Sequence, residues 1–388
     1  MDFDLSWLLW ALPLAFVLGW LSSRFDLRQL RMDNRLAPKA YFKGLNFLLN
    51  EQQDQAIDAF IEAVQNDPDT SELHFALGNL FRRRGEYERA VRVHQHLLSR
   101  GDLSLLDRQR AQHALALDYL KAGLIDRAQE ALQKLENTPF EAEARLALLA
   151  NHERSSDWVQ AAQTAAKLTQ SRQGNFEDRL AHYLCEQAAT QLAANQNANA
   201  HTLFQQATAT APKAPRPRLE RARLHLQEGA PAAAFEALMD CVKAAPDALP
   251  LIAGSLAESA LACAQVEPAL RLLQASYAQT PSLDLLDAIV VLDASRPKPG
   301  QSSRDWYVRH LEREPSLVAA AKWIAGEKLE QEQFHPQVQR ALDQAVNPLT
   351  RYRCTTCGFE AKQYFWHCPG CQAWDSYPVR RVEELKKL

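Results

Sequence analysis

The chain has 388 residues, and its 44 Lys and Arg against 47 Asp and Glu give a net charge of −3, which excludes a general electrostatic attraction to nucleic acid. Alanine and leucine dominate and there are only 13 glycines, a composition that favours helix throughout. The length gives room for two or three ordinary domains or for one long repeat array.

The first predicted element is a membrane-spanning helix over residues 5–23. This stretch of 19 residues contains no charged side chain, and as a helix it extends about 28 Å, close to the bilayer core of about 30 Å. Trp7, Trp10 and Trp20 lie towards its two ends, where indole rings favour the membrane interface. A cleaved signal peptide, the main alternative, needs a basic start, whereas this chain begins with the acidic sequence MDFD.

The segment that follows predicts the orientation of the span. Its basic side chains are Arg24, Arg28, Arg31, Arg35, Lys39 and Lys43, against only Asp26 and Asp33. Because positive flanks stay on the cytoplasmic side, the rest of the chain is expected in the cytoplasm. We therefore divide the amino terminus into an anchor over residues 1–23 and a basic juxtamembrane linker over residues 24–39.

A period of 34 residues then indicates tetratricopeptide (TPR) repeats, which are helical hairpins of that length. Gly44, Phe47 and Ala56 recur in type as Gly78, Phe81 and Ala90. The small residue expected where the two helices of a repeat touch recurs as Ala56, Ala90, Ala128, Ala161, Ala200, Ala234, Ala269 and, weakly, Ser303. The predicted fold is all-α: a right-handed TPR superhelical solenoid of about eight repeats plus closing helices, over residues 40–346.

The concave groove of a TPR array normally binds peptides or protein surfaces. Counting along the second repeat places Phe75, Asn79, Arg82 and Arg83 on the groove, as candidate partner-binding residues. The arginines suit an acidic partner or an anionic lipid headgroup. The alternative is that they are a solvated basic helix end, which the helix dipole favours.

No pattern in the chain indicates catalysis, so we do not expect an enzyme. The sequence has no Gly-rich phosphate loop, no Gly-x-Ser-x-Gly elbow and no His-Glu-x-x-His pair. The 11 histidines are scattered, and we expect each of them to pack or to lie at the surface. Cys185, Cys241 and Cys263 lie in Ala-rich stretches and are expected to be small buried hydrophobic residues.

Two Cys-x-x-Cys pairs close to the carboxy terminus carry the most specific chemical signal. Cys354, Cys357, Cys368 and Cys371 place four thiolates a short loop apart, which suits one tetrahedral Zn or Fe ion. Disulfides are the alternative. A segment this short cannot bury a sufficient core, so the metal would supply the folding free energy of a module that we place at residues 347–388.

Seven aromatic residues surround the two pairs: Tyr352, Phe359, Tyr364, Phe365, Trp366, Trp374 and Tyr377. They are more than so small a module can enclose. We therefore expect some of them to dock against the last helices of the array, which would fix the metal module in place.

The combination of an amino-terminal span, a TPR array and a rubredoxin-like four-cysteine module resembles the lipopolysaccharide assembly protein B (LapB) family of Gram-negative bacteria. The motifs that carry the resemblance are GLNFLL at 44–49, LGNLFR at 77–82, RYRC at 351–354 and WHCPGCQAW at 366–374. Gln372 departs from the pattern, since a rubredoxin knuckle usually has glycine there. The ten residues between the two pairs also form a far shorter loop than in true rubredoxins.

The resemblance implies an inner-membrane adaptor that regulates lipopolysaccharide biosynthesis. Such a protein would promote degradation of the deacetylase LpxC by the membrane protease FtsH, would work among the lipopolysaccharide assembly proteins, and would be opposed by an inner-membrane regulator of the PbgA/YejM type. Two alternatives stay open. One is a general scaffold for envelope assembly without a role in degradation, and the other is a redox-responsive iron protein.

Overall fold

The structure, a computed structural model, describes residues 16–17, 42–66, 70–296, 302–326 and 334–385. These residues are mostly helical and divide into two compact units between Ser156 and Asp157. The described helices of the first unit are α1 (residues 42–49), α2 (Gln53–Asn66), α3 (Ser71–Arg84), α4 (Tyr87–Ser99), α5 (Leu105–Lys121), α6 (Ile125–Gln133) and α7 (Glu141–Arg154).

The second unit holds the remaining helices and the cysteine module. Its helices are α8 (Trp158–Gln170), α9 (Glu177–Ala193), α10 (Asn197–Thr210), α11 (Pro215–Gln227), α12 (Pro231–Ala244), α13 (Leu249–Ala262), α14 (Val266–Gln279), α15 (Leu283–Ala294), α16 (Asp305–Arg313), α17 (Leu317–Ile324), α18 (His335–Val346) and α19 (Val382–Leu385). A 3₁₀ turn, Pro246–Ala248, precedes α13. Strands β1 (Tyr352–Arg353) and β2 (Glu360–Ala361) pair antiparallel within the module.

The repeat alanines that define the period all occupy the same structural position. Each stands at the fourth residue of its helix and is 0% exposed, from Ala56 in α2 to Ala269 in α14. A methyl group there leaves space for the preceding helix of the hairpin to approach closely. Ser303, the weak eighth member, does not fit: it lies in the turn before α16, and Val308 is the fourth residue of that helix.

Glycines close the turns between the helices of three hairpins. Gly85, Gly123 and Gly229 have φ angles of 81°, 74° and 72°, a left-handed conformation that costs glycine little. In the first hairpin of this kind, the Gly85 and Glu86 N–H groups donate to carbonyl groups in the last turn of α3. The chain therefore reverses between α3 and α4 without leaving those carbonyls unpaired.

The predicted membrane span falls outside the described residues except for Phe16 and Val17, which are helical. Within the described ranges, no helix has both the length and the apolar character needed to cross a bilayer. The three cysteines of the array are also described. Cys185 and Cys241 are fully buried as expected, but Cys263 is half-buried because it lies just beyond the end of α13.

Gly78 in α3 lies directly against the His94 side chain of α4, the other helix of the second repeat. A Cβ at Gly78 would lie 2.5 Å from the His94 ring, and that ring is held because its Nδ1 lies 2.5 Å from Asp118 Oδ2. We expect Gly78→Ala to lower the free energy of unfolding by about 1–3 kcal/mol through overpacking. Alanine would otherwise stabilise a helix by about 1 kcal/mol relative to glycine.

Gly254→Ala is the matched control, since a Cβ at Gly254 in α13 meets no atom within 4 Å. The same chemical change is therefore expected to stabilise the protein at that position. Chemical denaturation of both variants would measure the opposite signs. Stabilisation by both substitutions would contradict the packing explanation at Gly78.

Candidate metal centre and its docking surface

The four predicted ligands lie on two tight turns of the module. Cys354 and Cys357 occupy the turn between β1 and β2, where Gly358 has a φ of 77° and donates its N–H to the Cys354 carbonyl at 3.0 Å. Cys368 and Cys371 lie between the bridge partners His367 and Trp374. There Gln372 takes the left-handed conformation, with a φ of 60°, and donates to the Cys368 carbonyl at 2.8 Å.

The sulfur atoms have the spacing that a tetrahedral ion requires. Cys354 Sγ lies 3.8 Å from Cys371 Sγ, and Cys357 Sγ lies 3.7 Å from Cys368 Sγ. All four atoms are within 4.8 Å of one another. Zn–S bonds of about 2.3 Å give a tetrahedron with edges of about 3.8 Å. The residues therefore fit a single thiolate-bound ion, and both zinc and iron are compatible with this donor set.

The electrostatics of the tetrad also favour a cation. Burial by itself raises the pKa of Cys354, but hydrogen bonds from the Ser376 hydroxyl and the backbone N–H groups of the first turn lower that pKa to about 6. At Cys371 a backbone hydrogen bond from Ala373 lowers the pKa, but burial and the three neighbouring thiols outweigh it and raise the pKa to about 12. Without a cation the four sulfurs cannot all ionise, because each negative charge disfavours the next. A bound divalent ion removes that repulsion.

The module covers the ion site on one side with its own aromatic residues. Cys354 and Cys368 are buried in a small cluster with Tyr352 and Tyr377, while Cys357 is exposed. The Tyr377 hydroxyl lies 3.8 Å from Cys368 Sγ. His367 takes no part in the tetrad, since its ring stacks on Trp374 with a centroid separation of 4.3 Å.

The second knuckle docks against α8 and α9. Trp374 stacks on His182 with ring centroids 4.9 Å apart, and contacts Trp158 and Tyr183 edge to face. His182, which is 3% exposed, lies 2.9 Å from Asp375 Oδ2 through its Nε2. Arg216 points at His182 Nδ1 from the other side at 3.3 Å. Because Arg216 can only donate, the proton of the neutral ring is on Nε2 and is donated to Asp375.

A second docking surface lies at the other end of the module, where α19 meets α15 and α17. Arg381 makes three hydrogen bonds to the Asp284 carboxylate, at 2.6, 3.0 and 3.2 Å, and its guanidinium lies 4.0 Å above the Tyr352 ring. Glu383 accepts from the Leu317 N–H at 2.6 Å, and Glu384 accepts from the Leu283 N–H at 2.8 Å. Both carboxylates thus satisfy unpaired N–H groups at the start of a helix, where the dipole favours negative charge.

The expectation that the aromatic residues fix the module to the array is confirmed, and the contact is wider than expected. We predicted docking on the last helices, which α15 and α17 provide. The contacts with α8 and α9 join residues almost two hundred positions apart, such as His182 and Asp375. On the side of the array, the residues that make these contacts, such as His182, carry no motif. The excess of aromatic residues in the module is the one signal in the sequence that indicates docking.

Replacing Asp284 by asparagine tests the second docking surface. Asp284→Asn keeps an acceptor oxygen but removes the charge that pairs with Arg381, so we expect a loss of about 1.5–3 kcal/mol in docking free energy. The observable result is faster proteolytic release of the carboxy-terminal tail. Asp240→Asn is the control, since its ion pair with Lys243 is largely exposed. Equal release rates in both variants would mean that Asp284 does not hold the module.

The predicted groove residues are placed less favourably for a partner. Phe75 is 1% exposed and packs against Leu97 and Ala111, with Arg110 over its ring at 4.2 Å. Neighbouring helices of the first unit therefore cover Phe75, and its role in partner binding stays a prediction. Arg83 is exposed, and its role in partner binding stays a prediction.

Asn79 and Arg82 are tied into an internal network rather than being free for a peptide. Arg82 donates to the Asn79 side-chain oxygen at 2.5 Å and to Asp118 Oδ1 at 2.8 Å. Asp118 is fully buried and also pairs with His94 on α4. The network joins α3, α4 and α5, so a partner that donates to the Asn79 side-chain oxygen must compete with Arg82 for it.

Comparisons with known proteins agree with this architecture. A family model for a rubredoxin metal binding domain matches residues 352–377, and one for the tetratricopeptide repeat matches residues 43–95 and 185–248. Lipopolysaccharide assembly protein B of Escherichia coli (strain K12) is 30% identical over 387 residues, which cover 96% of this chain and 98% of that protein. The protein of that name from Haemophilus influenzae is 26% identical over 390 residues, with the same shares covered.

Proposed function

Since this chain belongs to the lipopolysaccharide assembly protein B family, we propose that it is an inner-membrane adaptor that regulates lipopolysaccharide synthesis. The observation that carries the proposal is the extent of the similarity, which covers 96% of this chain and 98% of the Escherichia coli relative at 30% identity. It includes the helical array and the cysteine module together. A protein built from helical hairpins and a four-cysteine module is suited to holding other proteins, so we assign it no catalytic step.

The proposed mechanism is controlled degradation. The adaptor would hold the deacetylase LpxC next to the membrane protease FtsH, and so limit the supply of lipid A precursor. An inner-membrane regulator of the PbgA/YejM type would oppose it. The support for these three partners is the membership of the chain in the family.

The anchor over residues 5–23 is part of this proposal. A single span would confine the array and its client to the membrane surface, which raises their effective concentration beside a membrane-bound protease. The basic residues after the span favour the cytoplasmic side for the array. Removal of residues 1–23 is therefore expected to release the chain from the membrane fraction and to abolish regulation even though the array still folds.

The deciding experiment measures the half-life of LpxC in cells that contain this chain, lack it, or carry Cys354→Ser. We expect LpxC to have a longer half-life in cells that lack the chain. We expect the same in cells that carry Cys354→Ser, because this substitution removes a ligand of the tetrad. Cys263→Ser is the matched control, since Cys263 lies in the array, outside the tetrad. An LpxC half-life that is the same with and without the chain, together with defective envelope assembly, would replace this mechanism with the general scaffold.

A further inference from the structure

A group of three potential metal ligands lies between α10 and α11, away from the cysteine tetrad. His201 comes from α10, His225 from the last turn of α11, and Glu228 from the residue that ends α11. His225 and Glu228 are three positions apart and therefore share one face of the helix. The ligand atoms of the three side chains all lie within 4.8 Å of one another.

The distances within this group are close to those of a coordination sphere. His201 Nε2 lies 2.8 Å from Glu228 Oε2, and His225 Nδ1 lies 3.8 Å from the same oxygen. The two imidazole centroids are 4.6 Å apart. Zn–N and Zn–O bonds of about 2.0–2.2 Å place tetrahedral ligand atoms about 3.3–3.5 Å apart. Small side-chain rotations are enough to change the present distances between the ligand atoms into those of a tetrahedral coordination sphere.

The surroundings hold the carboxylate in a suitable orientation. Asn197 donates to Glu228 Oε1 at 2.9 Å, which fixes that oxygen and leaves Oε2 directed at the two imidazoles. Outer hydrogen bonds of this kind orient ligands in known metal sites. All three side chains are partly covered, with 22%, 16% and 29% exposure for His201, His225 and Glu228. An ion there would be shielded and yet reachable from solvent.

The donor types of the group also suit a cation. Two imidazoles and one carboxylate are the donor set that zinc shares with other first-row divalent ions. Arg221 is the charge that opposes a cation here.

We propose that His201, His225 and Glu228 form a second metal site, which binds a divalent transition-metal ion of the zinc class with one coordination position open to water. It differs from the tetrad in donor type, because it uses nitrogen and oxygen rather than sulfur. The ion would link α10 to the carboxy-terminal end of α11. This proposed metal site does not depend on the adaptor function proposed above, and the adaptor function does not depend on the site.

The test is metal titration of the full-length chain whose cysteine tetrad is already loaded with Zn²⁺. We expect the wild-type chain to take up a second Zn²⁺. His225→Ala should weaken that uptake by at least about 100-fold, as expected for loss of one of three protein ligands. Glu228→Gln should weaken it about tenfold, because the amide oxygen is a poorer donor than the carboxylate. His96→Ala, at an exposed histidine outside the group, should still bind two ions.

Co²⁺ distinguishes the two sites in the same sample. Cobalt in the second site should give weak d–d absorption without the intense thiolate-to-metal band that the tetrad gives. Unfolding curves of each variant without added metal control for misfolding, and unchanged curves make loss of uptake a binding effect. One ion per wild-type chain in excess Zn²⁺ would overturn the proposal, as would a second ion that persists in both His225→Ala and His201→Ala.

Discussion

Cys354→Ser is expected to release the metal ion and to unfold the carboxy-terminal module. The module has only a small core of its own, so a bound ion would supply much of its stability. Structural zinc sites contribute about 10–16 kcal/mol over four ligands, and losing one ligand should weaken binding by about 100- to 1,000-fold. Metal analysis of purified protein, with limited proteolysis of the tail, would measure both effects.

The consequences should extend into the array, because the second knuckle carries the residues that dock on α9. Loss of the knuckle removes Trp374 from the His182 ring and Asp375 from its Nε2. Hydrogen exchange in α9 should therefore become faster. Cys263→Ser should leave metal content and exchange unchanged, because Cys263 lies outside the tetrad. A Cys354→Ser chain that retained its ion and a protected tail would refute the structural role of the metal.

Asp118→Ala is expected to destabilise the first unit by about 3–5 kcal/mol, the usual cost of leaving a buried charge without its partner. Asp118 is fully buried, accepts from Arg82 at 2.8 Å and faces His94 Nδ1 at 2.5 Å. Its removal leaves the Arg82 guanidinium and a fully buried imidazole without the carboxylate. Denaturation of the variant and of the unsubstituted chain would give the difference in unfolding free energy.

A graded series separates charge from packing at this position. Asp118→Asn keeps the shape and one acceptor, so we expect its loss to lie between that of Asp118→Ala and none. Glu130→Ala, at an exposed position in α6, should change stability by less than about 0.5 kcal/mol. If Asp118→Ala proved as mild as Glu130→Ala, the network would not be what joins the helices.

The sequence was a reliable guide wherever a local rule fixes the residue type. The repeat alanines are 0% exposed because only a methyl group fits between the paired helices, and the metal knuckles require cysteines at fixed spacing. The eighth repeat failed the same rule, since α16 has no alanine at its fourth residue. Within the described residues, the spacing of the alanines therefore predicted the helical hairpins, and the spacing of the cysteines predicted the tetrad.

Contacts between residues that are far apart in the sequence could not be predicted from local spacing. Counting positions placed Asn79 and Arg82 on a groove, but no pattern indicates that Arg82 is neutralised by Asp118, which lies 36 residues further on. His182 and Asp375 are 193 positions apart. Likewise His201, His225 and Glu228 look scattered in the sequence, because residues on two helices become neighbours only when the helices pack. The division of the array between Ser156 and Asp157 also has no signal in the repeat pattern.

The 193-residue separation between His182 and Asp375 has a consequence for biosynthesis. Most contacts in a repeat protein join neighbours, so hairpins can form while the ribosome is still translating. At a rate of about 5–20 residues per second, Asp375 is made about 10–40 s after His182. Until then Trp158 and Tyr183 lack the indole that covers them in the finished protein. A nascent chain, or one truncated by a premature stop codon before Trp374, therefore leaves this aromatic surface without its cover.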